Sequence, residues 1–302
     1  VINETIASLG LFSQISPREH GEKPILAVHD AQFVRYLQQV CSKLKEGRPI
    51  YPDTFPLRRE DRRPKEIVVQ AGYYCVDTGT PIYRNAYIAA RAAVDCALTA
   101  ADEILAGRLI AYAACRPPGH HAGKRFFGGF CYFNNAAIVA EYLAPHTRVA
   151  MLDIDFHHGN GTQDIFYERS DVLTVSIHGD PDYSYPYFSG YSDETGAGKG
   201  VGFNRNFPLP PKTTDEKYLK TFDRALDEIK RFNAETIVVG LGYDIIKGDP
   251  TGTFMIGVET MHTLGKKLSE MGRPLVVIQE GGYNVRNIRR GCAEFFKGLA
   301  SI

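Results

Sequence analysis

The sequence predicts an α/β protein built on one mostly parallel β-sheet with helices on both faces. Three observations carry this reading. From about Asn85 onward, short apolar runs alternate with stretches of helical length. The runs are continuously apolar rather than alternating, as strands buried on both faces should be. Residues capable of chemistry gather immediately after the runs, where open α/β sheets form their sites.

Taken in order, NAYIAARAAVDCALTAADEIL reads as a long helix, with Asn85 as its N-cap and Gly107 closing it. LIAYAAC (109–115) reads as the first strand, followed by a helix over 134–143. VAMLDI (149–154) and VLTVSI (172–177) are the next two strands. A helix over roughly 214–232 precedes the strand TIVVGL (236–241). A helix over 257–271, the strand PLVVIQ (274–279) and a helix over 286–300 complete the series. Two stretches resist assignment: 46–68, which holds PLRREDRRPKE, and 178–213, rich in Gly, Pro and Tyr. Irregular stretches of that length in one domain are usually functional. There are no repeats, no low-complexity segment and no linker, so residues 1–302 read as a single domain.

Composition excludes several function classes. The chain has 302 residues, 44% hydrophobic and 23% charged, with 35 Lys plus Arg balancing 35 Asp plus Glu. That balance gives no support to a general nucleic-acid or anionic-membrane role. No apolar run reaches the roughly 18–20 residues of a membrane helix. The chain opens at Val1 without a methionine, as it would if a leader had been removed. Cys41, Cys75, Cys96, Cys115, Cys131 and Cys292 form no CxxC pair, and several stand in apolar patterns as small buried hydrophobes. A reduced, cytoplasmic setting is expected.

RPPGHHAG follows the first strand, DFHHGNG the second, HGDP the third, GYDIIKGDP the fourth and EGGYN the fifth. Asp155 and His157 are two residues apart, so at an extended strand end they point the same way. Asp244 ends another strand and can add a third ligand. Two carboxylates and an imidazole suit Zn²⁺ and leave a position open for water and substrate. An Asp-x-His alone is commonly an ordinary loop; the company of His120, His121, His158 and Asp244 at neighbouring strand ends is what points to metal. Asp153 can orient one of the His120/His121 pair and Asn160 the other. A carboxylate raises imidazole basicity and an amide does not, so the two rings should differ in pKa. Tyr283 follows Gly281 and Gly282, where the backbone can approach the site and aim a phenol at a developing oxyanion.

These motifs, with GGFCYFNNAAIVA and LDIDFHHGNGTQDIFY, resemble the histone deacetylase superfamily from about Gly72 to Asn287. The stretch HGDPDYSYPYFSGYSDETGAGKGVGFNRNFPLP looks most like its acetylpolyamine amidohydrolase branch, while HHGNGTQ also resembles class II deacetylases. The resemblance implies an arginase/deacetylase fold with about eight parallel strands, and deacetylation of an acetylpolyamine or acetyl-lysine type amine. It implies one zinc per chain on Asp155, His157 and Asp244, with His121 as general base and acid and His120 as its electrostatic partner. It implies that Tyr283 polarises the acetyl carbonyl, that Gly129 frames the substrate, and that Phe130 and Tyr185 wall the tunnel. The backbone carbonyls of Asp153, Asp155, His157, Ser176 and Ile177 would bind a monovalent cation, K⁺. Near Gly72–Tyr74, where polyamine-specific members tend to carry carboxylates, this chain has Val68 and Gly79. The resemblance also implies a homodimer in which the basic 46–68 segment narrows the partner's active-site mouth and admits small acetylated amines. A two-metal ureohydrolase of the same fold and a catalytically silent acyl-amine binding module are the rival expectations.

Overall fold

The computed structural model describes residues 1–56, 59 and 61–301. Its strands are β1 (Ile110–Ala113), β2 (Val149–Asp153), β3 (Val172–Gly179), β4 (Asn204–Leu209), β5 (Thr236–Leu241) and β6 (Leu275–Gln279). They join in the order β1-β6-β5-β2-β3-β4, and every pairing is parallel. The continuous apolar runs are explained by what lies on each side. Val149, Met151, Val238, Val276 and Ile278 pack into one core, with helices α2 (Lys23–Val28), α3 (Ala31–Lys43), α5 (Ala86–Leu105) and α6 (Asn135–Leu143). Their neighbours along the strands, Ala150, Leu152, Ile237, Val239, Leu275 and Val277, pack into the other. There they meet α8 (Asp215–Phe232), α9 (Val258–Ser269) and α10 (Val285–Leu299), with α1 (Ile2–Leu9) laid against them. Successive residues of a strand face opposite ways, so a sheet covered on both faces must be apolar at every position.

The sheet has six strands rather than about eight among the described residues. β4 lies inside the stretch left irregular by the sequence pattern. It reads NRNFPL, and as an edge strand it can carry polar side chains and Pro208 that an interior strand could not. The sequence pattern also assigns none of the helices before Asn85, α1 to α3 and the short α4 (Ala71–Tyr74), nor α7 (Asn160–Phe166), which opens within the glycine-rich HHGNGTQ. α5 starts where expected, but Asn85 makes no side-chain capping bond; Gly107 does follow its end with φ 93°. In the 46–68 segment, Leu57, Arg58 and Glu60 lie outside the described residues, and Ile50 bridges to Ile82.

The strand order fixes where a site can form. From β2 the chain proceeds outward to β3, and from β5 it proceeds outward to β6 on the other side. Loops leaving the carboxyl ends of β2 and β5 therefore diverge and leave a crevice between them.

Candidate active site

The crevice is lined by the residues that follow β2 and β5. β2 ends at Asp153, so the alternation expected of Asp155 and His157 on a strand does not apply. A bend brings them together instead. Asp153 Oδ1 accepts from the Asp155 N–H (3.0 Å), and Asp155 Oδ1 from the His157 N–H (2.8 Å). Such local side-chain bonds to the backbone curl a chain that a ladder no longer holds. Asp244, beyond β5, accepts from the Phe156 N–H (3.0 Å) and ties the two loops. The result sets His157 Nδ1 3.2 Å from Asp155 Oδ1 and 3.1 Å from Asp244 Oδ2. Gly281 closes the floor: its N–H donates to Asp155 Oδ2 (2.7 Å), and a Cβ there would fall 2.5 Å from that oxygen and 2.7 Å from Asp244 Oδ2.

Asp155 and Asp244 are 1% and 0% exposed, and two buried carboxylates converge there on one imidazole, a costly arrangement unless the charges are paired or hold a metal. Burial and the adjacent Asp155 push Asp244 up to about 7. Burial acts the same way on Asp155, but His120 and His157 hold it well below the carboxylate range. The donor set is of the kind that holds a divalent cation. Two oxygens and a nitrogen suit zinc, whose ligands at ~2.1 Å stand roughly 3.4 Å apart when tetrahedral, close to the spacings seen here.

The histidine pair sits against this group on the loop after β1. The rings of His120 and His121 are 4.0 Å apart but are held by different partners. His120 Nδ1 lies 2.9 Å from Asp153 Oδ2, and His121 Nδ1 lies 2.7 Å from Asn160 Oδ1. Burial depresses His120, but the charges of Asp153 and Asp155 outweigh it and raise the ring to about 10. Burial, with the charges of His120 and His157 beside it, drives His121 well below the ordinary histidine value. One imidazolium and one neutral imidazole stand side by side, the neutral one with Nδ1 occupied and Nε2 available.

Tyr283 lies beyond β6, its N–H and that of Asn284 donating to Asp249 Oδ2 (2.7 and 3.0 Å). Tyr283 is 39% exposed as a whole residue, but desolvation at its phenol end and the nearby Asp244 carboxylate raise its pKa, so the phenol stays protonated. Phe130 packs edge-on to the Tyr283 ring at 6.0 Å, and Tyr185 stands perpendicular to His121 at 4.9 Å and near His157 at 6.2 Å. Gly129 has φ 54° and runs so close to the His121 ring that any Cβ would overlap it. Asp153 and Ser176 are register partners on β2 and β3, and Ile177 follows Ser176. His158 is buried and does not join the Asp155–His157–Asp244 group; it packs on His178 at 4.5 Å.

Three residues at this site carried no sequence signal that singled them out. Glu280, 5% exposed, accepts from the N–H groups of Gly119 and His120 (2.7 and 3.1 Å) and so fixes the histidine loop. Burial raises its carboxyl to about 7. Asp249 anchors Tyr283, and Asp77 reaches Gly129 from outside the strand ends. Glu280 and Asp249 both stand inside motifs that follow strands, which was the available hint.

The family model for the histone deacetylase domain matches residues 1–299. An acetylpolyamine amidohydrolase from Mycoplana ramosa is 41% identical over 98% of this chain and 88% of its own. Histone deacetylase 6 of Caenorhabditis elegans is 39% identical over 68% of this chain and 23% of its own. The crystal structure of an acetylpolyamine aminohydrolase from Burkholderia pseudomallei superposes with a TM-score of 0.94 at 36% identity, covering 99% of this chain and 89% of that one.

Proposed function

The chain belongs to the histone deacetylase family, and on that premise we propose that it hydrolyses slender N-acetylated amines, acetylpolyamines among them, with one zinc ion on Asp155, His157 and Asp244. It is an amidohydrolase that removes acetyl groups from acetylated amines, as are the relatives it matches along nearly its whole length. The observation that carries the finer reading is the unequal histidine pair beside a buried Asp-His-Asp group.

When bound, the ion would polarise the acetyl carbonyl and acidify a water molecule. His121, neutral and with Nε2 free, accepts the water proton and later returns it to the leaving nitrogen. Asn160 holds the ring in the tautomer that leaves Nε2 as the acceptor. His120, held at Nδ1 by Asp153, is the electrostatic partner that offsets developing negative charge. Tyr283 donates its phenolic proton in a hydrogen bond to the oxyanion, which Asp249 allows by fixing the backbone at that point. Gly129 lets the chain pass against His121, and Phe130 and Tyr185 grip the methylene stem of the substrate.

Further parts of the reading rest on the same residues. K⁺ is proposed on the carbonyls of Asp153, Asp155, His157, Ser176 and Ile177, supported by the pairing of Asp153 with Ser176. A homodimer through the 46–68 segment is supported by exposed aromatics there: Phe55 is 77% exposed and shares a groove with Tyr73 and the 91% exposed Phe188. A cytoplasmic setting is supported by five buried cysteines.

The test is the zinc-loaded full chain against N-acetylputrescine, N-acetylspermidine and acetyl-lysine peptides, with metal counted on the same sample. Equimolar acetate and amine with one zinc per chain is the expected outcome. A higher kcat/KM on peptides would assign the lysine deacetylase alternative, two metals per chain the ureohydrolase, and metal without turnover the silent binding module.

A further inference from the structure

Gly128 and Cys131 pair across a two-residue turn, with reciprocal backbone hydrogen bonds of 3.2 and 2.8 Å. Its central residues are Gly129 at φ 54° and Phe130 at φ 66°. Positive φ at both central positions is the type I′ pattern, which normally takes Gly, Asn or Asp. A phenylalanine there is strained and persists only where its surroundings impose it. The two N–H groups on the outside of the turn are held in succession. Gly129 N–H donates to Asp77 Oδ2 (2.6 Å) and Phe130 N–H to Thr80 Oγ1 (3.0 Å). The holders are themselves joined, since the Thr80 hydroxyl donates to Asp77 Oδ2 (3.0 Å). The same Asp77 oxygen accepts from the Tyr185 phenol (3.1 Å). Thus one carboxylate and one fully buried hydroxyl bind the backbone under Phe130 and the side chain of Tyr185.

We propose that Asp77 and Thr80 are positioning residues that set the width and alignment of the slot for the amine's methylene stem, by holding the strained Gly129–Phe130 turn and the Tyr185 phenol at one point. The inference rests on the reading of Phe130 and Tyr185 as the walls of that slot. Asp77 does not itself bind the cationic end of a polyamine. Its Oδ1 accepts from the N–H groups of Gly79 (2.8 Å) and Thr80 (2.7 Å), and Oδ2 from three further donors. Five donors fill the roughly four acceptor sites a carboxylate offers, leaving none for a substrate ammonium.

Thr80→Val keeps the shape and removes the hydroxyl; Thr80→Ser restores it; Asp77→Asn removes the charge and turns one acceptor into a clashing donor. Each is made in the zinc-loaded full chain. In Thr80→Val the Phe130 amide should exchange faster with deuterium. KM for N-acetylputrescine should rise about tenfold while kcat stays within about threefold, because the slot holds the substrate stem equally before and during the reaction. Thr80→Ser should return both readouts to wild type. Asp77→Asn should weaken neutral N-acetylbutylamine and cationic N-acetylputrescine by the same factor. An unchanged Phe130 amide overturns the clamp, and so does an unchanged KM or a serine that rescues neither. A loss in Asp77→Asn confined to the cationic substrate would make Asp77 a charge-recognition residue and overturn the proposal equally. The exchange readout needs no substrate, so it separates a failure of the clamp from a failure of the deacetylase reading.

Discussion

Tyr283 meets the rest of the site through geometry that a single atom can test. Its phenol is protonated, its backbone is pinned by Asp249, and no side-chain partner competes for its proton among the described contacts. A hydrogen bond that strengthens only as the oxyanion forms acts on kcat rather than on KM. Tyr283→Phe should therefore lower kcat by roughly 10²–10³ and leave KM within a few-fold. Retention of more than about a tenth of wild-type kcat would remove Tyr283 from the mechanism. Asp244 is different in kind: its carboxylate is one of three converging donors and also accepts from the Phe156 N–H that joins the two loops. Asp244→Ala should lose zinc on dialysis, and elemental analysis finding one zinc per chain in that variant would refute the ligand assignment. Neither residue is recognisable as special from its identity. Each is placed by a carboxylate or an amide that comes from elsewhere in the chain.

At the scale of elements, the loops are held by polar groups buried behind them, and one of these responds to pH. His29 lies just beyond α2, with Nδ1 2.8 Å from the Gly123 carbonyl and Nε2 accepting from the Asn134 N–H (2.9 Å). Asn134 caps α6 and also donates to the Ala122 carbonyl behind the histidine pair (3.0 Å). An acceptor at Nε2 requires the neutral ring, and burial lowers its pKa to about 4. The folded value lies below the unfolded one, so the contribution is whole above about pH 6.5 and is lost as pH falls toward 4. Between pH 8 and pH 5 this one residue should remove about 2 kcal/mol of stability. Denaturant unfolding of the wild type and of His29→Gln at both pH values checks it, because the glutamine can donate and accept without titrating. Parallel losses in the two proteins would clear His29 of the effect.

For the whole molecule the open feature is the surface beside the mouth, where Phe55 and Phe188 stand in water. Burying such a patch against a second copy would stabilise a dimer by about 25 cal/mol per Å² of apolar area before the cost of association. Light scattering should give twice the 33.6 kDa chain mass, and deletion of 52–65 should return the monomer and relax selectivity toward bulkier acetylated amines. A monomeric parent, or a deletion that changes neither mass nor selectivity, would sink the dimer.

What the sequence alone determined follows from local physics. Runs such as VAMLDI and TIVVGL must be strands covered twice, because each residue meets a core on its own side of the sheet. Polar motifs after such strands must meet at one edge, which is why Asp155, His157, Asp244, His120, His121 and Tyr283 were recognisable together. The tertiary structure alone decided what depends on distant partners. The bend that turns Asp155 and His157 toward one point rests on side-chain bonds begun at Asp153, and the edge strand β4 exists because β3 offers it a ladder. Asp77 is 52 residues from Gly129 and 108 from Tyr185, and Glu280 is 160 from His120. No period or spacing in a sequence encodes such pairs, because they are made by a carboxylate that finds its donors only when the chain has closed around it.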